Sequence, residues 1–193
     1  AYFWLYGQGL GFVFIEKTNE IFDLYITALK GQGQNINPSL SKQLDGVKKS
    51  FADTAPALIS IFWMSLIVLN GLIAQSILKK SNRNQRPSFA IREVQIPRSF
   101  AVIFLSSLAL ASFSSGELGY LVTNLTAILA FPVMLTGLGV IHTFADKTNY
   151  SGSILLVLYL IIMFSRWAAI FVVLVGIADH FLKLRNKVQA DKV

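Results

Sequence analysis

The chain contains no cysteine, and charged residues make up only 14% of it, against about 25% in an ordinary soluble domain. The lack of cysteine excludes disulfide bonds and thiolate metal sites. The sequence also has no P-loop, no HExxH, no GxSxG and no Cys/His cluster, which are common signatures of phosphate, zinc and serine-hydrolase chemistry. These absences predict a protein that is not an enzyme, with no catalytic residue, metal ion or cofactor.

Hydrophobic residues are abundant instead, at 54% of the 193 residues. Residues 154–178 are apolar apart from Ser165 and Arg166, and a helix of that length rises ~37 Å, enough to cross the ~30 Å hydrocarbon core of a bilayer. Three other runs are nearly as apolar: 56–78, 99–115 and 118–142. The sequence therefore predicts an all-α, polytopic integral membrane helical bundle in the lipid bilayer, with about four to five transmembrane helices.

The first 15 residues begin with Ala1 rather than Met, in the middle of a hydrophobic run. The run has no basic segment before it and contains three glycines, which makes it a poor signal peptide. Its tyrosines and Trp4 are aromatic residues typical of the headgroup level. We therefore expect residues 1–15 to be a partial membrane span or an interfacial segment of a longer protein.

Residues 16–55 are polar but patterned, and they predict two amphipathic helices on the membrane surface. Asn37 followed by Pro38 is a typical start signal for the second of these helices. We expect that helix to end before Pro56, which opens the first complete span of a transmembrane bundle over residues 56–182.

The loop at residues 79–98 carries six basic residues against one acid, Glu93, for a net charge of +5. The basic residues are Lys79, Lys80, Arg83, Arg86, Arg92 and Arg98. Because Lys and Arg are enriched in cytoplasmic loops, this loop is predicted to be cytoplasmic in a multi-pass protein of the bacterial inner (cytoplasmic) membrane. The same bias explains the net charge of +7 for the whole chain, so we expect no nucleic-acid partner.

The basic tail at residues 183–193 conflicts with a simple count of spans. With the 79–98 loop inside, three further spans place the tail outside, whereas its four bases against one acid favour the inside. We favour a single continuous span over residues 154–178. The alternatives are a hairpin at residues 165–167 and a re-entrant break at Pro132.

Four residues within the predicted spans are candidates for binding a ligand or lining a pathway. An arginine at the bilayer centre costs roughly 2.5–3.5 kcal/mol, so Arg166 should face protein or water, either in a structural pair or as the counter-ion of an anionic ligand. Pro132 should kink or break its helix, and a broken helix exposes backbone groups that transporters use for binding. Asn124 is typical of interhelical hydrogen bonding, and His142 lies at the cytoplasmic end of its span.

Several short stretches of the C-terminal half resemble the YybS-like family of uncharacterised bacterial membrane proteins. They are the segment from Asn124 to Pro132, Thr136-Gly-Leu-Gly-Val-Ile-His142, and Gly176-Ile-Ala-Asp179 leading into Leu184-Arg185. The resemblance covers residues 118–187. It implies a distant similarity to the substrate-binding membrane components of energy-coupling-factor transporters, and hence a pocket whose walls are the helix from Asn124 to His142 and the last span around Arg166.

These observations support two hypotheses about function. The first is a membrane component for small-molecule binding or transport, with a cytoplasmic coupling partner on the 79–98 loop. The alternative is a non-catalytic accessory or assembly subunit whose spans pack against other membrane subunits. The small residues of the 99–115 run favour close helix packing and support the alternative.

Overall fold

The computed structural model of the chain describes residues 10–31, 37–81 and 91–185. These residues form six α-helices and one short 3₁₀ turn, with no strand among them. The helices are α1 (Leu10–Gly31), α2 (Pro38–Lys80), α3 (Arg98–Phe113), α4 (Gly116–Ala145), α5 (Ser151–Phe164) and α6 (Arg166–Leu182), and the 3₁₀ turn is Ile91–Glu93. The structure confirms the predicted class, an all-α membrane protein.

Two of these helices are long and apolar enough to cross a membrane, namely the Ser39–Lys80 part of α2 and all of α4. Helices α5 and α6 pass the same test only as a bent pair, so the described residues hold two or three candidate spans. This number is lower than the four to five predicted, because α3 has 16 residues, or ~24 Å of helix, and because the last apolar run is bent. Residues 1–9 of the predicted N-terminal segment lie outside the described residues.

Helix α2 begins where the sequence indicates. The Asn37 Oδ1 atom accepts hydrogen bonds from the Leu40 backbone N–H and from the Ser39 hydroxyl, both at 2.8 Å. The helix then continues for 43 residues through Pro56, so the second surface helix and the first span form one helix. A proline inside a helix removes one backbone hydrogen bond, and in this chain a side chain of α4 compensates for the loss.

The continuous span expected over residues 154–178 is contradicted by the structure. Helices α5 and α6 meet at Ser165 with a bend of 119°, and Ser165 itself has an extended backbone. Its N–H donates to the Ile161 carbonyl at 2.8 Å, and its own carbonyl accepts from the Ala168 N–H at 3.1 Å. The one extended residue therefore closes one helix and opens the next. Pro132, the other predicted break point, lies inside the continuous helix α4.

The described residues divide into two compact units. One contains those of Ala1–Phe62 and Ser107–Ile128, and the other contains those of Trp63–Ser106 and Leu129–Val193. In the first unit, the Lys48 ammonium lies 2.8 Å from the Asp23 carboxylate and joins α2 to α1. In the second unit, the most deeply buried side chains come from α4 and α6: Val133, Thr136, Val140 and Val172.

Candidate functional site

A buried ion pair between Asp179 and Arg185 lies at the C-terminal end of α6. The Arg185 Nε atom donates to Asp179 Oδ2 at 2.8 Å, and the Arg185 backbone N–H donates to Asp179 Oδ1 at 3.1 Å. The two side chains retain only 7% and 8% of their exposure. Charged side chains are almost never buried unless they are paired, so each of these two side chains can be buried only because the other neutralises its charge.

A left-handed turn at Lys183 brings these two residues together. Lys183 has φ 49° and is the one non-glycine residue with positive φ in the described part of the chain. Left-handed backbone costs such a residue roughly 1–2 kcal/mol. The Lys183 N–H donates to the Asp179 carbonyl at 2.8 Å, and the turn returns Arg185 to the side chain of Asp179. The hydrogen bonds of the buried pair therefore offset a strained backbone.

The guanidinium of Arg185 also binds a segment distant in sequence. Its Nη1 atom donates to the Arg92 carbonyl at 2.7 Å, and the Arg92 Nη1 atom in turn lies 2.7 Å from the Asp146 carboxylate. Gly139 allows this approach, since a Cβ there would lie only 2.6 Å from the Ile91 carbonyl oxygen. The 3₁₀ turn, the end of α4 and the chain after α6 are thus joined around Arg92.

Helices α4 and α6 pack closely through two glycines. A Cβ on Gly137 would overlap the Val172 carbonyl, and a Cβ on Gly176 would overlap the Val133 carbonyl. Small residues at such contacts let helix backbones approach in membranes.

A polar cavity of about 360 Å³ lies beside the buried ion pair. We call it the Arg185 pocket; its polar lining residues are Gln95, Thr136, Asp179, His180, Lys183 and Arg185. The Arg185 Nη2 atom is buried and lies 2.7 Å from Asp179 Oδ2, yet it has no partner with hydrogen-bond geometry among the described residues. The pocket therefore has an excess of positive charge, because Lys183 lines it in addition to the paired Asp179 and Arg185.

Arg166, the charge singled out from the sequence, lies elsewhere. It is the first residue of α6, its side chain is exposed, and it makes no ion pair with another residue in the part of the chain that the structure describes. The neighbouring Trp167 is 71% exposed. Arg166 does not line the Arg185 pocket, which lies at the other end of the same helix.

Asn124 compensates for the break in the hydrogen-bond ladder next to Pro56. Its Oδ1 atom accepts from the Ala57 N–H at 3.1 Å, and its Nδ2 atom donates to the Asp53 carbonyl at 2.9 Å. In a regular helix those two backbone groups would bond to each other. The amide of Asn124 therefore bridges them, and this buried side chain has the structural role of an interhelical hydrogen-bonder.

Tyr120 completes the same connection between α4 and α2. Because Pro56 has no N–H, the Ala52 carbonyl loses its usual helical partner. The Tyr120 hydroxyl donates to that carbonyl at 3.2 Å. Sequence analysis missed Tyr120, although its spacing of four residues from Asn124 places both on one face of a helix.

The two remaining predicted residues are also separate from the Arg185 pocket. His142 Nε2 lies 3.0 Å from the Tyr159 hydroxyl and connects α4 to α5. The Pro132 carbonyl accepts from the Thr136 hydroxyl at 3.2 Å, so Pro132 contacts a pocket residue without lining the pocket. Of the two cavities described among these residues, neither is lined by Asn124, Pro132, His142 or Arg166.

The basic loop is described only in part. Lys79 and Lys80 end α2, Arg92 lies in the 3₁₀ turn and Arg98 begins α3. Arg83 and Arg86 lie outside the described residues. Of these four described basic residues, Arg92 is the one whose backbone carbonyl accepts a hydrogen bond from Arg185.

A second cavity, of about 660 Å³, lies in the first unit next to the start of α4. Its charged lining is acidic, from Asp53 and Glu117. Both carboxylates are exposed, and Glu117 accepts a weak 3.4 Å hydrogen bond from the Gly11 N–H. Because its charged residues are two acids that water can solvate, this cavity lacks the excess of positive charge that distinguishes the Arg185 pocket.

One feature of the sequence, which composition and hydropathy do not reveal, pointed to residues of the pocket. Asp179 and Arg185 both occur in the short C-terminal stretches singled out from the sequence, and Thr136 begins another of them. Their proximity depends on the left-handed turn at Lys183, a residue type that rarely adopts that conformation. The pairing therefore could not be inferred from spacing.

Comparison with known proteins identifies a family. The model of a family described as "Predicted membrane protein (DUF2232)" matches residues 1–180, a range that contains α1 to α5 and nearly all of α6. No curated protein and no solved structure matches the chain. The family description names no ligand, reaction or partner.

Proposed function

The chain belongs to the DUF2232 family of predicted membrane proteins, and we propose that it binds a small anionic solute in the Arg185 pocket as a non-enzymatic, transport-related membrane component. We place it in the bacterial inner membrane with the 79–98 loop in the cytoplasm, as its basic residues indicate. The resemblance to YybS-like proteins, and through them to the substrate-binding components of energy-coupling-factor transporters, supports a binding role.

The observation that carries this proposal is the excess of positive charge in the lining of the Arg185 pocket. The exposed Lys183 ammonium would donate to a bound oxyanion, and hydrogen bonds to charged groups contribute roughly 1.5–3 kcal/mol. Lys183 and Arg185 provide two positive charges in the lining, against the single carboxylate of Asp179. The local charge therefore favours an anion over a cation of similar size.

The dimensions of the pocket restrict the ligand to a small molecule. Its volume of about 360 Å³ lies near the lower end of the range of about 300–1,000 Å³ that is typical of ligand sites. Thr136 and Gln95 add uncharged hydrogen-bonding groups, which would orient the ligand. A compact carboxylate or phosphate compound fits this combination of size and polarity.

The test compares two variants, each of which replaces one cationic side chain with glutamine and so removes one positive charge. Lys183→Gln removes a cation from the pocket lining, and Arg166→Gln removes one at the other end of α6. Purified protein in mild detergent is titrated with inorganic phosphate, acetate and succinate, with sodium chloride as the ionic-strength control, and binding is followed by thermal shift and native mass spectrometry. We expect Lys183→Gln to weaken anion binding about tenfold, the equivalent of one charge-assisted contact.

Arg166→Gln should bind the same anion as tightly as the wild type. Equal weakening in both variants would indicate a general charge effect and contradict the proposal. The absence of binding by any of the three anions, together with a bound neutral or cationic molecule in the mass spectrum, would also contradict it.

The accessory-subunit alternative is favoured by a different observation. Only 6% of the apolar 18-residue stretch of α2 is buried, against 44% of the corresponding stretch of α4. Asn70 and Gly71 are exposed within that apolar stretch, and polar or small residues are common at helix contacts in membranes. A stoichiometric membrane subunit that co-purifies with the wild type and is lost in Asn70→Leu would support this role.

A further inference from the structure

We propose that α5 and α6 form a re-entrant hairpin, which enters and leaves the membrane on the side of the basic loop and has Arg166 at its tip. A bent helix pair of this kind is either one broken span, with its ends on opposite sides, or a re-entrant segment, with its ends on the same side. The contacts at the two ends of the pair favour the second arrangement.

Both ends of the pair contact Arg92. Asp146, which follows α4 and precedes α5, lies 2.7 Å from the Arg92 guanidinium. Arg185, which follows α6, donates to the Arg92 carbonyl at 2.7 Å. Arg92 belongs to the basic loop, so the entry and exit of the 151–182 segment lie beside the same short turn. A single broken span would require these ends to be separated by the ~30 Å thickness of the hydrocarbon core.

The lengths of the two helices fit a hairpin that does not emerge on the other side. Helix α5 has 14 residues and α6 has 17, which correspond to ~21 Å and ~26 Å of rise. The 119° bend reverses most of the chain direction between them. Each arm is therefore shorter than the ~30 Å core, and its tilt reduces the depth further.

The extended residue at the tip can lie at membrane depth because its own backbone groups are satisfied. Non-helical backbone inside a membrane is tolerated only where its polar groups are covered. Ser165 is the one extended residue between the helices, and both its N–H and its carbonyl make hydrogen bonds to the adjoining helix turns. The exposed Arg166 can extend its long side chain toward the far headgroups, as arginine does near membrane interfaces.

This arrangement removes the conflict over the basic tail. With a re-entrant hairpin, Lys183 and Arg185 lie on the same side as Lys79 and Lys80, as the distribution of positive charge favours. The Arg185 pocket then opens on that side as well. The direction of ligand access rests on the proposed function, whereas the topology does not.

The absence of native cysteine makes single-cysteine labelling direct. Three variants at exposed positions report on the basic-loop side: Ser81→Cys after α2, Asn149→Cys before α5 and Lys183→Cys after α6. Ser115→Cys is the control for the opposite side, because it lies just before α4, a candidate span whose other end leads to Asp146. Each is exposed to a membrane-impermeant maleimide in intact spheroplasts and in inverted membrane vesicles.

We expect Asn149→Cys and Lys183→Cys to be labelled in the same preparation as Ser81→Cys, and Ser115→Cys in the other. Labelling of Lys183→Cys from the side opposite to Asn149→Cys would establish a single broken span and overturn the proposal. A fifth variant, Ser165→Cys, should remain unlabelled in both preparations until detergent is added. Ready labelling of this variant in the preparation that labels Ser115→Cys would show that the tip emerges from the membrane. Neither result depends on whether the pocket binds an anion, so the two proposals can fail separately.

Discussion

The two arginines at the ends of α6 have opposite surroundings. Arg166 follows the bend, is exposed and has no ion pair in the described part of the chain, whereas Arg185 follows the left-handed turn and is bonded to Asp179 and to the Arg92 carbonyl. Hydropathy identifies Arg166 because it interrupts an apolar run. Burial and hydrogen bonding identify Arg185, which lies in a polar tail. The charge that is conspicuous in a sequence is thus different from the charge that organises the structure.

The largest expected effect comes from Arg185→Ala, which would leave the Asp179 carboxylate buried without its partner. Removal of one member of a buried pair typically costs about 3–5 kcal/mol of unfolding free energy. Arg166→Ala, at an exposed site, should stay within about 0.5 kcal/mol of the wild type. Unfolding in mixed micelles, followed by circular dichroism, measures both.

A double variant, Asp179→Asn with Arg185→Gln, separates the loss of the pair from the loss of either side chain. Its loss of unfolding free energy should be smaller than the sum of the losses measured for Asp179→Asn alone and Arg185→Gln alone, because no uncompensated charge remains. If Arg166→Ala and Arg185→Ala lowered the unfolding free energy equally, the two ends of α6 would not differ in their contribution to stability.

The next effect concerns the packing that holds the Arg185 end of α6 against α4. Gly137→Ala places a Cβ on the Val172 carbonyl of the neighbouring helix, and overpacking of this kind costs about 1–3 kcal/mol. Gly152→Ala is the matched control, since a Cβ at that position in α5 meets no atom within 4 Å. Thermal unfolding midpoints of the two variants should therefore differ, with only Gly137→Ala lowered; an equal decrease in both would contradict the observed contact.

The smallest expected effect is the coupling between Asn124 and Pro56 in the first unit, where an uncharged side chain supports a helix. Asn124→Leu removes the bridge between Ala57 and Asp53 and should cost about 1–3 kcal/mol for the unsatisfied backbone groups. In a Pro56→Ala background the helix can restore its own hydrogen bonds, so the same substitution should cost less. A double-mutant cycle in mixed micelles measures this coupling, and a coupling energy near zero would show that Asn124 acts independently of Pro56.

The membrane class and the start of α2 were predictable from local features. Long apolar runs specify helices in a bilayer because backbone groups there must bond internally, and Asn37 with Pro38 is a helix start that depends only on adjacent residues. The continuation of α2 through Pro56 was not predictable, because the compensating hydrogen bonds come from Asn124 and Tyr120, more than 60 residues away.

The break at Ser165 and the pocket at Arg185 were also beyond local reasoning. A run of apolar residues predicts a continuous helix unless contacts elsewhere hold its ends, and here both ends meet Arg92. The candidate residues chosen from the sequence were polar or helix-breaking positions inside apolar runs, whereas the pocket combines Thr136 of α4 with residues at the end of α6 and in loops.

The sequence by itself determined that this protein is an all-helical membrane protein, since hydropathy and chain length decide which segments can enter a bilayer. Only the tertiary structure decided which charge is buried and where a cavity forms. That decision depends on a strained turn at Lys183 and on a carbonyl of Arg92 that lies 93 residues from Arg185. Such long-range pairings are properties of packed helices, and no periodicity along the chain encodes them.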